Sequence, residues 1–345
     1  MRYKILVTGG LGFIGSHTVV ELITAGYEVV IVDDLSNAQL FILENIKKIT
    51  GVLPVFYKVN VQEKGQLLHV FEKEKNINAV IHFAAFKAVG ESVALPLKYF
   101  KNNLFSLITL LECMEIHQVN SIVFSSSATV YGEPDILPVN ESAPFKPALS
   151  AYGSTKQVGE EILAKVSSAG KLNSISLRYF NPAGAHESLL LGELPSGLPN
   201  NLMPIITQVA AGKIQQLIVY GNDYNTPDGT CMRDYIHVTD LAIAHVKSCE
   251  RLLNNMQENK FEVFNIGTGN GVSVMEIITA FEKYNSVKVN FTISQRRHGD
   301  AESIFADASL ANEKLKWKAV RSLEEMVTSA WKWQQNLSNV NNFTM

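Results

Sequence analysis

The first 33 residues constrain the fold more than any other part of the chain. Lys4 to Thr8 is a short apolar run of the kind that forms buried parallel strands. Gly9-Gly10-Leu11-Gly12-Phe13-Ile14-Gly15 follows at once, then a helical pattern from Ser16 to Ala25 stopped by Gly26. Tyr27 to Val32 reads as a second strand, with Asp33 at its end. Strand, glycine-rich turn, helix, strand and acid stand in the order that a dinucleotide site needs. The glycines let the backbone turn tightly and approach a pyrophosphate seated on the helix N-terminus. Their spacing, Gly-x-x-Gly-x-x-Gly through Gly9, Gly12 and Gly15, differs from the G-x-G-x-x-G of simple dehydrogenases. Three spaced glycines alone are a weak signal; the flanking strands and the acid carry the reading. Asp33 can accept from a ribose 2′-hydroxyl and would repel a 2′-phosphate, so the expected cofactor is NAD and not NADP.

The pattern continues as alternating strands and helices. Val52 to Val61 is a third strand region with Asn60 and Val61 at its end, and Gly65 to Lys75 reads as helix. Asn78 to Ala85 is a fourth strand running into small residues that let the backbone come close to a cofactor. His82, inside that apolar strand, is expected to be a satisfied core group and not a catalyst. Leu97 to His117 is a long amphipathic helix carrying Asn102 and Asn103. Asn120 to Phe124 is a fifth strand that ends in Ser125-Ser126-Ser127-Ala128-Thr129-Val130-Tyr131-Gly132. Ligands in open α/β sheets bind outside such strand ends, so a serine there can meet a substrate hydroxyl. Two of the three serines are expected only to satisfy turn and cap groups.

Tyr152 and Lys156 are four residues apart and would share one helix face. A free tyrosine titrates near pH ~10, too high for a base at neutral pH, and a nearby cation favours its phenolate. Such a pair can take a proton from an alcohol and return it. A solvated Tyr and Lys on a surface helix is the plainer explanation of this common spacing. The nucleotide site and the serine-rich strand end are what favour chemistry.

A sixth strand, Asn173 to Tyr179, ends at Asn181-Pro182, after which the texture changes. Helices are expected at 202–212, 240–253 and 323–336, and strands at 217–221, 262–267 and 289–293. The expected fold class is α/β: a Rossmann-type doubly wound parallel sheet with a smaller mixed α/β substrate-binding domain. Residues 1–180 would form the first domain, joined by the late strand near 262–267, and residues 181–345 mainly the second. The Asn-rich tail from Ser338 is expected to fray.

Composition sets outer limits. The chain of 345 residues is 46% hydrophobic with a net charge of −3, so nothing argues for electrostatic binding to nucleic acid or anionic membrane. Cys113, Cys231 and Cys249 show neither a disulfide framework nor a metal spacing, which fits a reducing compartment. With no signal-like N-terminus and no membrane-length apolar run, a cytoplasmic location is expected.

Several runs then point to a known family. Gly9-Gly10-x-Gly12-Phe13-Ile14-Gly15-Ser16-His17, Phe83-Ala84-Ala85, Lys87-Ala88-Val89-Gly90-Glu91-Ser92 and Ser125 to Gly132 occur in this order. Tyr152-x-x-x-Lys156, Arg178-Tyr179-Phe180-Asn181-Pro182, Asn200-Asn201-Leu202-Met203-Pro204, Arg233-Asp234-Tyr235-Ile236-His237-Val238 and Arg297-x-x-Asp300 follow. From residue 4 to about residue 335 the chain resembles the extended short-chain dehydrogenase/reductase family, and within it the 4-epimerases of UDP-sugars. Many oxidoreductases share the glycine-rich turn and Tyr-x-x-x-Lys; the runs at 87–92, 126–132 and 200–204 point more narrowly.

The resemblance implies interconversion of UDP-glucose and UDP-galactose by a homodimer with tightly bound NAD. It implies that Tyr152 takes the proton of the sugar 4-hydroxyl while C4 passes a hydride to NAD⁺. The 4-keto sugar then turns over and takes the hydride back on its other face. Lys156 would hold the nicotinamide ribose and lower the Tyr152 pKa, and Ser127 would bond the 4-oxygen. Gly9, Gly12, Phe13, Ile14 and Gly15 would hold pyrophosphate. Asp33, Asp34, Leu35, Ser36, Asn37 and Ala38 would line the adenosine ribose, and Asn60 and Val61 the adenine. Phe83, Ala84, Ala85, Lys87, Asn102 and Phe180 would line the rest of the cofactor. Lys87, Asn181, Asn201, Leu202, Ile218, Val219, Tyr220, Arg233, Arg297 and Asp300 would hold UDP and sugar, with Ser127 and Tyr152. Ile304 would lie near the sugar 2-position.

Two positions depart from the family pattern. Asn60 stands where Asp is usual, and still offers a carbonyl oxygen to an adenine amino group. Ile304 stands where many bacterial members have Tyr. Two rival readings share the fold. Nucleotide-sugar 4,6-dehydratases carry Thr-Asp-Glu where this chain has Ser127-Ala128-Thr129, which supplies no carboxylate for elimination. A NAD-sensing regulator would need neither Tyr152 nor Lys156.

Overall fold

A computed structural model describes residues 2–297 and 300–341, with side chains through residue 337. The first half runs β1 (Lys4–Thr8), α1 (Phe13–Thr24), β2 (Glu28–Asp33), α2 (Phe41–Thr50), β3 (Val55–Lys58), α3 (Lys64–Lys73) and β4 (Ile77–His82). It continues α4 (Val89–Ala94), α5 (Pro96–Ile116), β5 (Ser121–Ser125), α6 (Ala151–Ala169) and β6 (Asn173–Tyr179). The second half adds β7 (Asn181–Ala183), α7 (Leu202–Ala210), β8 (Leu217–Tyr220), β9 (Met232–His237), α8 (Val238–Leu253) and β10 (Phe261–Ile266). It closes with β11 (Gly271–Ser273), α9 (Val274–Asn285), β12 (Phe291–Ser294), β13 (Ser303–Ile304), α10 (Ser309–Lys314) and α11 (Leu323–Asn341).

Seven parallel strands form the main sheet in the order β3-β2-β1-β4-β5-β6-β10. Ile5, Leu6 and Val7 of β1 are fully buried because helices cover both faces of the sheet, which is why the strand reads as a continuous apolar run. One face packs Val19, Val20 and Leu22 of α1 with Leu241, Ala244 and Cys249 of α8. The other packs Leu67 and Val70 of α3 with Leu107 and Leu110 of α5 and Leu163 of α6. Strand order reverses at β1, which pairs with β2 on one side and β4 on the other. That reversal opens a crevice at the carboxyl ends of the strands, where ligands of such sheets bind.

The late strand β10 pairs in parallel with β6, Phe261 to Ile266 against Ser174 to Tyr179, and α8 packs on α1. Two elements from the second half therefore complete the first lobe. The remainder builds a small sheet from β7, β9, β11 and β13 and a parallel pair of β8 and β12. Residues of α7, α9 and α11 cover them in a third core that includes Met203, Phe281 and Val327.

Several boundaries differ from the sequence reading. Helix α1 begins at Phe13, inside the glycine run, because Gly12 in extended conformation is its N-cap. The third strand shrinks to Val55–Lys58. Helices α2, α4 and α9 and strand β9 were not expected; α2 carries few apolar anchors, with Ile42 and Ile46 buried one turn apart. Helix α11 runs on to Asn341, past the point of expected fraying, and residues 342–345 lie outside the described residues.

Helix α6 sets the position of Tyr152 and Lys156. Ser150 caps it by accepting from the Gly153 N–H at 3.1 Å. Its buried face carries Tyr152, Thr155, Lys156, Gly159, Glu160 and Leu163, a stripe at helical spacing. Gly159 lets the helix sit directly on Phe124 of β5: a Cβ there would come 2.8 Å from the ring Cζ. We expect Gly159→Val to cost about 1–3 kcal/mol by overpacking and to lower activity by lifting α6 off the sheet. Urea unfolding midpoints read the first effect; a midpoint at or above that of the unmodified protein would refute it.

Candidate active site

The site begins at the glycine-rich turn. Gly9 has φ +68°, and a Cβ on Gly15 would lie 2.1 Å from the Gly9 carbonyl oxygen, so neither position tolerates a side chain. Gly12 gives α1 no side-chain cap, which leaves first-turn N–H groups free for an anion. The Asp33 carboxylate accepts from the Leu11 N–H at 3.1 Å and the Leu35 N–H at 2.9 Å. Burial raises its pKa, and those two bonds oppose the rise. It thus staples the turn to the end of β2 while keeping lone pairs for a ribose hydroxyl.

From this turn a cavity of about 660 Å³ runs along the strand ends to Tyr152 and Lys156. Its lining contains Gly9, Gly12, Phe13, Ile14 and Gly15, then Asp33, Asp34, Ser36, Asn37 and Ala38. Asn60, Val61, Phe83, Ala84, Ala85, Lys87, Asn102 and Asn201 also line it. Leu35 packs instead against the sheet core. Asn60 accepts from the Gln62 N–H at 2.9 Å, and the Gln62 amide donates to Asn102 at 3.0 Å. His82, fully buried, bonds Thr8 at 2.7 Å and stacks on Phe124; burial pulls its pKa down to about 3, so it stays neutral.

Tyr152 and Lys156 project inward from α6, both almost fully buried. The Lys156 ammonium donates to the Ser125 carbonyl at 2.5 Å and lies 4.9 Å over the Phe124 ring and 5.6 Å over the Tyr152 ring. Burial pulls the Lys156 pKa down to about 7, with Glu160 opposing. Burial likewise pushes Tyr152 up to about 12, opposed by its hydrogen bond with Ser127. The direction for Tyr152 is opposite to the lowering expected from the lysine. Desolvation of the phenolate is the larger cause, and the Ser127 hydrogen bond offsets only part of it.

The three serines also differ from expectation. Ser127 alone caps a turn, accepting from the Thr129 N–H at 3.2 Å. Ser125 pairs with the Tyr179 hydroxyl at 2.6 Å and Ser126 donates to Glu160 at 2.5 Å. These partners lie on β6 and α6, far away in sequence, so no local pattern marks them.

The residues expected to hold UDP and sugar fall into separate groups. Lys87 and Asn201 both bond Glu193, at 2.9 and 2.8 Å, which ties Lys87 to the roof of the cavity formed by residues 192–201. Arg297 pairs bidentately with Asp300 and lies 5.2 Å over Tyr220, on a second cavity of about 650 Å³. Asn181 and Arg233 lie on β7 and β9, and Leu202 opens α7. On β8, Ile218 and Tyr220 face outward while Val219 is buried in the core, so only the Val219 backbone is available to a ligand. Ile304 is buried beside Phe180 and Ala128 and lines neither cavity. Sequence reasoning missed Glu193, the roof and Tyr179; the Pro/Gly-rich texture of 192–201 was the one available signal.

A doubly wound sheet with a glycine-rich turn at its switch point and a buried Tyr-Lys pair facing the same cavity defines a short-chain dehydrogenase/reductase. The family model described as GDP-mannose 4,6 dehydratase, an extended member of that group, matches residues 6–330. The UDP-glucose 4-epimerase of Bacillus subtilis (strain 168) is 51% identical over 340 residues, covering 98% of each chain. A UDP-glucose 4-epimerase from Stenotrophomonas maltophila, solved with NAD and formylated UDP-arabinopyranose, superposes with TM-score 0.94 at 47% identity, covering 98% of this chain and 100% of that one. One from Bifidobacterium longum, in complex with NAD⁺ and UDP, gives 0.93 at 45% identity, covering 97% and 99%. The chain belongs to this extended family, and within it to the UDP-glucose 4-epimerases.

Lys156 has a consequence for stability. An amine that titrates near 7 folded and near its ordinary 10.5 unfolded destabilises the fold below pH 7, and stability rises with pH between those values. We expect Lys156→Met to stabilise the ligand-free protein most at pH 6 and to flatten that rise. Urea unfolding at pH 6 and pH 9 measures both; an equal effect at the two pH values would refute it.

Proposed function

We propose that the protein interconverts UDP-glucose and UDP-galactose, inverting C4 of the sugar through a transient 4-keto form that turns over in the site. The observation that supports this best is the single cavity joining the uncapped N-terminus of α1 to the buried Tyr152 and Lys156, with Ser127 bonded to Tyr152 behind the lining. The glycine turn, Asp33 and Asn60 fit a dinucleotide, which here is NAD. Bound NAD⁺ would supply a reversible acceptor for the hydride of sugar C4.

Tyr152 takes the proton of the 4-hydroxyl and later returns it. Ser127, already bonded to Tyr152, holds the sugar 4-oxygen and shares that proton. Lys156 in its ammonium form steadies the phenolate, which burial alone disfavours. The sugar must be free to turn, so the binding energy comes from UDP, for which the planar Arg297 guanidinium suits a phosphate pair. The 4,6-dehydratase reading gains nothing from the matched family model, because Ala128 and Thr129 offer no carboxylate at the positions where elimination needs an acid and a base.

The first lobe binds NAD and the part after residue 180 mainly binds UDP-sugar. Helix α5 exposes Leu97, Phe105 and Ile108 along one side, which supports a homodimer. Among the described residues no helix is long and apolar enough to cross a membrane, and the proposed location is the cytoplasm.

Turnover of UDP-galactose without added NAD tests the reading. We expect the purified protein to release a nicotinamide nucleotide on denaturation, and Tyr152→Phe to lose about 10²- to 10⁴-fold in rate while still binding UDP. Near-normal turnover by Tyr152→Phe would sink the mechanism.

Ile304 bears on which sugar is preferred. Ile304 lines neither cavity but belongs to the buried cluster with Phe180 and Ala128, and its branched side chain is stiff at χ1, so it acts by keeping that cluster from yielding to an N-acetyl group. Forcing extra atoms against it costs about 1–3 kcal/mol, roughly a ten- to hundredfold preference for UDP-galactose over UDP-N-acetylglucosamine. We expect Ile304→Ser to narrow that gap. Equal turnover of both sugars by the unmodified protein would show that Ile304 is not the gate.

A further inference from the structure

Directly behind Lys156 lies a buried ionic group that the proposed chemistry does not use. Glu160 stands one helical turn beyond Lys156 on α6, on the same face. Its carboxylate accepts from Ser126 at 2.5 Å and from Arg178 Nε and Nη2 at 3.0 and 2.7 Å. Arg178, on β6, is held in turn: its guanidinium lies 4.9 Å from each of the Tyr131 and Phe145 rings and donates to the Tyr131 hydroxyl at 2.9 Å. Tyr131 passes that hydrogen bond on to Asn265 at the end of β10, at 2.7 Å.

A buried ion pair of this kind rarely exists for stability alone, since desolvation consumes much of its attraction. Its placement suggests another use. Among the described residues, Lys156 faces Tyr152 and Glu160 from its own helix and His82 from β4; from β6, Tyr179 faces Tyr152 and Arg178 faces Glu160. Glu160 is the one carboxylate among them. Lys156 otherwise has a carbonyl and two aromatic faces, which are weak compensation for a charge without water. Ser126, the partner of Glu160, sits between Ser125, whose carbonyl receives the ammonium, and Ser127, which bonds Tyr152.

We propose that Glu160 is a positioning residue: its carboxylate keeps the Lys156 ammonium charged and, through Ser126, holds the strand end that presents Ser125 and Ser127. Arg178 donates to that carboxylate from Nε and Nη2 and fixes its direction. The assignment rests on the roles given to Tyr152 and Lys156 under Proposed function.

The test is the pH dependence of kcat for UDP-galactose on purified holoenzyme. Without the carboxylate, Lys156 loses its proton at lower pH, so the alkaline limb of the profile moves down. Glu160→Gln alone leaves Arg178 unpaired in the interior, so the paired variant Glu160→Gln/Arg178→Met is measured against Arg178→Met, from which it differs only in the Glu160 carboxylate. We expect its limb to fall by about 1 pH unit or more with KM little changed. Glu160→Asp, which keeps the charge, should restore the limb toward its original place. Ser126→Ala keeps both the ion pair and the interior volume; its kcat should fall with the limb unmoved. A paired variant with an unshifted limb overturns the electrostatic role, and a Ser126→Ala protein with unchanged kcat overturns the strand-end role. Tyr152→Phe run in parallel separates the layers: if it is inactive while the Glu160 variants behave as the unmodified protein, the proton-transfer reading stands and only the Glu160 assignment falls.

Discussion

A primary amine held away from water is the constraint on which the site depends. Lys156 is met by a carbonyl, two aromatic faces and a carboxylate one turn away, and burial brings its pKa to about 7. Every element near it answers to that demand. Helix α6 lies close to the sheet through Gly159, β5 ends where its last carbonyl meets the ammonium, and β6 sends Arg178 to hold Glu160. A buried amine near its titration point is costly for folding and useful for chemistry, because small changes in local charge switch its state.

The other end of the cavity uses the opposite device. There, the phosphates of a bound dinucleotide would meet backbone, at an uncapped helix start that glycines make accessible. Asp33 secures the turn from below with two backbone bonds. The cofactor end is therefore built from main chain and the reactive end from side chains, and the parallel sheet holds both at a fixed separation.

Legibility in the sequence follows the same division. The glycine turn, Asp33 and the Tyr152–Lys156 pair were readable because each rests on spacing within a single turn or helix. The parallel first lobe was readable because strands buried on both faces leave continuous apolar runs. What was not readable depends on long-range contacts. Ser126 meets Glu160 and Ser125 meets Tyr179 only after β5, α6 and β6 are in register, so their use as cap residues was a reasonable local guess that tertiary structure overrode. Val219 illustrates a finer limit: alternation along β8 puts it inside while its neighbours face out, and a motif match does not show the phase of a strand. The direction of the Tyr152 shift was missed because spacing reveals a neighbour's charge but not how much water both groups lose.

The placement of β10 at the edge of the main sheet has a consequence for how the chain is made. Strand β6 emerges from the ribosome roughly 90 residues before its partner β10, and α1 roughly 225 residues before α8. At about 5–20 residues per second those intervals are roughly 5–20 s for the unpaired strand edge and roughly 10–45 s for the bare apolar helix face. Chaperone protection would be most needed in those windows. A gene truncated after the first half would encode a lobe that never closes, however complete its nucleotide-binding residues.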